Sequence, residues 1–426
     1  MSSKVVYVAT WGNPLGWNWV KYNCGGGDNA VKNGNEEGFS SVVCINGDNV
    51  DKYIIYVLDS VITANASSSI NNDAVDVLMH LKESGRVHIV KDRKDDRMQI
   101  RVEPDSSISN RDEWRNIVRN YITELAGKWG VDSGKLNVIV TPTIGKYNEW
   151  NYSGYPDLIT MELLDGLWKT IKDSVNENLT IILDTTHGIN FMPVITMFII
   201  RLAASLALLK GSSVVTIKEY NAMPLTWDYR KVFSEQVRFV ELPEEPANPV
   251  VKAYLMGMPI VVYKLCKLHS SNNQCNTNVD MKISHKDKRI EYKSTIGFKK
   301  YYECLLEGLI CSKATNKLLE LMRGDLFNKV NEVSRRLISS ELNNMYDNIC
   351  NSRLSFEKDT LYASIAKHSE EEGKGCGEES DDRFERNAIA HAGLLKNCTV
   401  IRKCDNDYCI DVYDIVLKKL GLSFKS

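Results

Sequence analysis

The chain has 426 residues, a hydrophobic fraction of 43%, a charged fraction of 25% and a formal net charge of -2. That length is more than one ordinary core requires and implies two or three domains. The balanced charge and globular composition exclude a disordered chain and a protein that coats polyanions non-specifically, so any nucleic-acid site must be local.

Through the first half, short β-rich apolar runs alternate with helical spacing. Strands are predicted at Val5 to Thr10, Tyr53 to Val61, Leu136 to Thr141, Leu179 to Thr185 and Ser213 to Tyr220. Helical patterns lie between them at about 71–84, 111–129, 157–175 and 191–210, with lengths that fit βα crossovers. This alternation predicts an α/β, Rossmann-like domain with a parallel sheet. The Gly- and Asn-rich run Gly12 to Gly47, with Trp11, Trp17 and Trp19, reads as an ordered excursion or hairpin after the first strand. The N-terminus has no basic region followed by an apolar core, unlike a secretory signal. Phe191 to Leu209 is apolar enough to suggest a membrane span, but Pro193, Arg201 and the strand before it favour a buried crossover helix. A cytoplasmic protein with no membrane partner is therefore expected.

Glu241 to Pro249 holds three of the ten prolines, and only Pro259 follows it. This marks a Pro-rich linker at 241–250 between a domain at 1–240 and a mainly α-helical domain at 251–426. Helical spacing is clear in Tyr301 to Arg323, Leu326 to Cys350 and Asp382 to Leu395. Polar residues at about 268–300, with a strand-turn-strand pattern around Asp287, predict a small β-hairpin insert. Glu370 to Asp382 reads as a solvated acidic loop, with Ser380 or Asp381 placed to cap the helix that follows. The eleven cysteines show no CxxC pair and no zinc-finger spacing, so most are expected to be reduced thiols. Cys404 and Cys409 flank a turn where a cross-strand disulfide would suit a hyperthermophile.

Arg386-Asn387-Ala388-Ile389-Ala390-His391 puts a fixed cation near a proton carrier. RNA is cut without metal when a base activates its own 2'-hydroxyl, a cation stabilises the phosphorane-like transition state and an acid protonates the leaving 5'-oxygen. Histidine titrates near neutrality and arginine grips phosphate through a planar fork, so His391 is the proton-transfer candidate and Arg386 the stabiliser. Residues five apart on a helix point away from each other, whereas Asn387 and His391 share a face. A symmetric dimer apposing two such helices would assemble two Arg and two His in one cleft. The alternative is a surface arginine and a helix-end histidine without chemistry.

Upstream, Asp184-Thr185-Thr186-His187-Gly188-Ile189-Asn190 closes an apolar strand. In open α/β sheets, ligands bind beyond the carboxyl ends of strands, near helix N-termini that attract phosphates. Thr10, Trp11, Gly12 and Asn13, and the stretch Thr141 to Lys146 with Thr143, belong to the same edge. Together they predict a polar, phosphate-friendly pocket with a tryptophan to stack on a base. No GxGxxG, P-loop or GxSxG motif follows a strand, which argues against a dehydrogenase, a P-loop NTPase and a serine hydrolase. Asp184 and His187 also admit a structural reading, as groups that hold the turn.

Taken together, the two motifs resemble the CRISPR-associated CARF-HEPN ribonucleases of type III systems, in the branch marked by a DxTHG motif. Asp184 to Gly188 matches DxTHG, and Arg386 to His391 matches the HEPN pattern of Arg, four to six residues, then His. The resemblance implies an N-terminal CARF domain that senses a cyclic oligoadenylate, cyclic tetra-adenylate in this branch, and a C-terminal HEPN domain that cuts single-stranded RNA in antiviral defence. It implies a homodimer or an oligomer of dimers, no required cofactor and no metal. By position, Arg386, Asn387 and His391 are catalytic, and Thr10 to Asn13 and Thr186, His187, Gly188 and Asn190 bind the ligand. The competing expectations are a non-catalytic nucleotide sensor or scaffold, and a first domain that itself degrades its activator through Thr186 and His187.

Overall fold

The computed structural model describes residues 3–321 and 398–422, with Cys376, Ser380 and Phe384, except for 26–28, 68–69, 95–96, 175–177, 189–190, 213, 224–225, 239, 241–242, 244, 257, 269–274, 276 and 405–406. Its strands in chain order are β1 (Ser3–Trp11), β2 (Val20–Cys24), β3 (Gly34–Gly38), β4 (Lys52–Leu58), β5 (Asn65–Ala66), β6 (Val87–Lys94), β7 (Arg97–Pro104), β8 (Leu136–Thr141), β9 (Gly145–Tyr147) and β10 (Trp150–Ser153). They continue with β11 (Asn178–Asp184), β12 (Val215–Ala222), β13 (Asp228–Val237), β14 (Val279–Ser284), β15 (Arg289–Ser294), β16 (Thr399–Cys404) and β17 (Asp407–Val412). The helices are α1 (Asn72–Glu83), α2 (Arg111–Lys128), α3 (Asp157–Ile171), α4 (Phe191–Lys210), α5 (Pro249–Leu255), α6 (Pro259–Leu268), α7 (Phe298–Leu321) and α8 (Asp414–Lys419).

The chain divides into two compact units, one of residues 1–207, 214–237 and 277–298, the other of 208–213, 238–276 and 299–426. The first unit is built on an eight-stranded sheet in the order β3-β2-β13-β12-β11-β1-β4-β8. Its five strands from β12 to β8 run parallel. The central three, β1, β4 and β11, read as near-continuous apolar runs because both faces are covered: Val6, Tyr7 and Val8, Ile54 to Val57, and Ile181 to Leu183 are all buried. Asn71 and Asn110 cap α1 and α2 by accepting from backbone N–H groups of the first turn. Gly166 lets α3 lie close to the sheet, since a Cβ there would come within 2.5 Å of Ile139.

All five predicted strands and four predicted helices are present within a few residues of their expected limits. The structure adds β13, which runs antiparallel to β12, and makes the 12–47 excursion into two more strands of the same sheet, with β2 parallel to β13. β13 gives little apolar signal because most of it is exposed. The predicted hairpin is β14–β15, and β15 pairs in parallel with β10, so this stretch is built onto the first unit. Helix α4 has the length and hydropathy of a membrane span, but 67% of its apolar window is buried.

In the second unit Asn248 caps α5 through Val250 N and Val251 N, and Glu303 of α7 accepts from Ala247 N and Asn248 N. Helix α7 realises the predicted helix at Tyr301 to Arg323, and the predicted helix at Leu326 to Cys350 lies outside the described residues. The cysteines depart from expectation. Among the described residues four disulfides form, Cys24–Cys44, Cys266–Cys311, Cys275–Cys304 and Cys376–Cys398. Their partners lie 20 to 45 residues apart, so no local spacing announces them. In the β16–β17 ladder Cys404 faces Asp407 and Cys409 faces Arg402, so these two cysteines are not opposite one another.

Candidate functional site

Parallel pairing brings the carboxyl ends of the central strands to one edge. Ala9 of β1 sits beside Asp184 of β11, so Thr10 to Asn13 and Thr185 to Gly188 emerge as neighbours. Gly12 N donates to the His187 carbonyl at 2.9 Å and locks the two loops together. Leu58 of β4 pairs with Thr141 of β8, so Asp59 and Thr143 leave the same edge. With β4 between them, the ends of β1 and β8 are about 10 Å apart.

The carboxylate of Asp184 is buried and organises the first pair of loops. Its Oδ2 accepts from the hydroxyls of Tyr7 and Ser41, each at 2.7 Å, and its Oδ1 accepts from Thr186 N at 2.9 Å. Thr186 Oγ1 in turn accepts from Ala222 N at 3.0 Å, tying the loop to the end of β12. The structural reading of Asp184 therefore holds: this carboxylate shapes the turn. His187 is fixed just as firmly. Its Nε2 accepts from Ser41 N at 3.2 Å and lies 3.1 Å from the Tyr22 hydroxyl, while its ring stacks on Trp17 at 4.1 Å between centroids. Burial pushes its pKa down to about 4, against the opposing pull of the Asp184 charge. At neutral pH it is an uncharged imidazole with Nε2 as acceptor.

Tyr7, Tyr22, Ser41 and Trp17 are the contributors that motif reasoning missed. Three come from the excursion after β1, which folds back over the DxTHG loop and is clasped by Cys24–Cys44. Only its tryptophans signalled a role in advance. Trp11 itself is 2% exposed, packed against Trp17 and Trp129, so the ring expected to stack on a base belongs to the aromatic core. Trp19 is the exposed tryptophan of the excursion.

Thr10 is 1% exposed, and its Oγ1 has no hydrogen-bond partner among the described residues. A Cβ on Gly188 would come within 2.3 Å of that oxygen and 2.7 Å of Pro193, which explains the glycine. Asn13 bridges inward instead, donating to the Asn65 carbonyl at 3.1 Å and accepting from Leu15 N at 3.2 Å. Thr143 is 5% exposed, with its N–H on Asp59 Oδ1 at 2.9 Å and its Oγ1 accepting from Ser60 N at 3.1 Å. Asn190, Arg386, Asn387 and His391 lie outside the described residues.

A cavity of about 580 Å³ lies beside the edge strand β8, lined by Arg111, Arg115, Arg119, Glu162, Asp165 and Lys169 among others. Its charges are mostly spent on each other: Glu162 holds Arg111 at 2.5 Å and Arg115 at 3.2 Å, and Asp165 holds Lys169 at 2.8 Å. Arg115 also donates to the Val140 carbonyl at 2.6 Å, covering an otherwise open sheet edge. This is structural cover more than a phosphate site. Among the described residues no group of three or more His, Cys, Asp or Glu is placed to hold a metal.

The family model described as CRISPR system endoribonuclease Csx1, CARF domain, matches residues 6–224, which takes in the five parallel strands of the sheet and both motif loops at its edge, and stops short of β13. The model described as CRISPR system endoribonuclease Csx1, HEPN domain, matches residues 331–417 and includes Arg386 to His391. No curated protein matches the chain. The CARF match alone covers half of the molecule, and with the HEPN match in the same order it shows that the chain belongs to the CRISPR system endoribonuclease Csx1 family.

Proposed function

We propose that this ribonuclease is switched on by a cyclic oligoadenylate, cyclic tetra-adenylate in the first instance, and cuts single-stranded RNA without a metal in cytoplasmic type III CRISPR defence. The observation that carries this reading is the joint placement of the motifs. Asp184 to Gly188 stands beside the end of β1 inside the CARF match, and Arg386 to His391 falls inside the HEPN match.

In this reading the ligand meets the edge formed by Thr10 to Asn13 and Thr186 to Asn190, and each protomer of a dimer takes half of the ring. Helix α4, which starts just after the DxTHG loop, supports the dimer. Phe191 (39% exposed), Val194 (71%) and Phe198 (46%) form a stripe on its surface at helical spacing, as expected of a face that a second copy covers. His391 moves protons at the 2'-hydroxyl and the 5'-oxygen, Arg386 stabilises the phosphorane charge, and Asn387 orients the imidazole. Four disulfides in a cytoplasmic enzyme fit a hyperthermophilic setting.

The test is cleavage of a fluorescent single-stranded RNA in EDTA with cyclic tetra-adenylate present. Cutting by the wild type that is lost in His391→Ala and Arg386→Ala is expected. Equal cutting by His391→Ala would remove the catalytic assignment, and dependence on added divalent metal would remove the metal-free mechanism.

A further inference from the structure

A second buried carboxylate, Asp59, stands at the same edge as Asp184 but is held by a different part of the chain. It leaves the end of β4 and is 2% exposed. Its Oδ1 accepts from Thr143 N at 2.9 Å, and its Oδ2 accepts from the Tyr292 hydroxyl at 2.5 Å. Its own carbonyl accepts from Trp114 Nε1 at 2.9 Å. Thr143 belongs to a strand-end loop on the ligand edge. Tyr292 belongs to β15, which the chain reaches only after passing through α5 and α6 of the second unit.

Several contacts hold this hairpin rigidly to the first unit. Tyr152 pairs with Ile290 in the β10–β15 ladder, and Ser153 Oγ donates to the Ile290 carbonyl at 3.2 Å. Arg111 donates to the Val279 carbonyl at 3.1 Å, and His285 Nε2 lies 2.8 Å from the Ile108 carbonyl. Only three residues, 295–297, separate the end of β15 from the start of α7, the helix that leads toward the HEPN match. Thr143, Asp59 and Tyr292 thus form a continuous hydrogen-bonded path from a ligand-edge loop to the segment that enters α7.

We infer that Tyr292 is a positioning residue through which the ligand-edge loop containing Thr143 controls the nuclease half. The inference rests on the ligand-activation reading above. The ring is buried whether or not the hydroxyl is present, so Tyr292→Phe removes the link and little else. A hydrogen bond to a charged group is worth about tenfold or more in an equilibrium, and that sets the scale of the effect.

The experiment measures three quantities on full-length wild type and Tyr292→Phe: the Kd for cyclic tetra-adenylate, the ligand-free RNA cleavage rate, and the rate at saturating ligand. The expected result is an unchanged Kd and basal rate with an activation ratio reduced about tenfold. An activation ratio equal to wild type would overturn the inference, and so would a loss explained wholly by weaker ligand binding. A wild type that the ligand does not activate would instead sink the activation reading, so the two failures are distinct. Should Tyr292→Phe not fold, hydrogen exchange on the wild type decides. Ligand-induced protection at both the Thr143 loop and β15 supports the path, and protection at the loop without any change at β15 overturns it.

Discussion

Asp184 and Asp59 occupy equivalent places in the fold. Both are 2% exposed, both lie at the carboxyl end of a central parallel strand, and both accept from hydroxyls and from a backbone N–H of a strand-end loop. They differ in where their partners come from. Tyr7, Ser41 and Thr186 tie Asp184 to β1, to the excursion that follows it and to its own turn, so it assembles the DxTHG edge from within the sensor. Tyr292 ties Asp59 to a hairpin reached through the second half of the chain. One carboxylate builds a site, and the other connects that edge to a distant segment.

The largest effect that would separate the two falls on Asp184→Ala. It leaves the Tyr7 and Ser41 hydroxyls and Thr186 N without their acceptor in a buried setting, and should cost about 3–5 kcal/mol of stability. Denaturant midpoints measure it, and a loss below about 1 kcal/mol would mean that the loop is held by other contacts. Replacing Cys24 and Cys44 together with Ser opens a clasp between residues 20 apart and should cost about 3 kcal/mol. The ligand should bind this variant more weakly, because Tyr22 and Ser41 are carried by the clasped segment.

Asp59 predicts a pH dependence instead. Burial raises its pKa from 3.8 to about 6, with the hydrogen bonds from Tyr292 and Thr143 pulling the other way. A raised folded-state pKa means that the folded protein holds the proton more tightly. The associated stability is therefore fully present below about pH 4 and is lost as pH rises through about 6, by about 3 kcal/mol. Asp59→Asn should remove this fall between pH 4 and 6, read as a difference in slope between the two stability curves. Parallel curves would place the carboxylate in a more polar setting than its burial indicates. The smallest effect belongs to Ser41→Ala, about 1 kcal/mol in a thermal or denaturant scan, since Asp184 keeps two of its partners.

The parallel sheet was legible because strands buried on both faces read as near-continuous apolar runs separated by helical spacing, as in β1, β4, β8 and β11, while β12 shows instead the alternation of a half-buried strand. β13 escaped because it is mostly exposed and largely polar or charged, and the β6–β7 hairpin because charged and polar residues interrupt its apolar ones. The DxTHG loop stood out through its residue types at a strand end. Its supports did not: Ser41 and Tyr22 sit more than 140 residues from Asp184 and His187, and nothing local marks them as partners. The same applies to Tyr292 and Asp59, which are 233 residues apart. Long-range hydrogen bonds and disulfides depend on topology, and a single sequence shows topology only where the hydrophobic pattern carries it.

The most direct test of the central claim is a titration of full-length protein with cyclic tetra-adenylate while the cleavage rate of a single-stranded RNA is followed. The expected rate rises with ligand and saturates at one ring for every two chains. A ligand that binds at the strand-end loops but leaves the rate unchanged would contradict it.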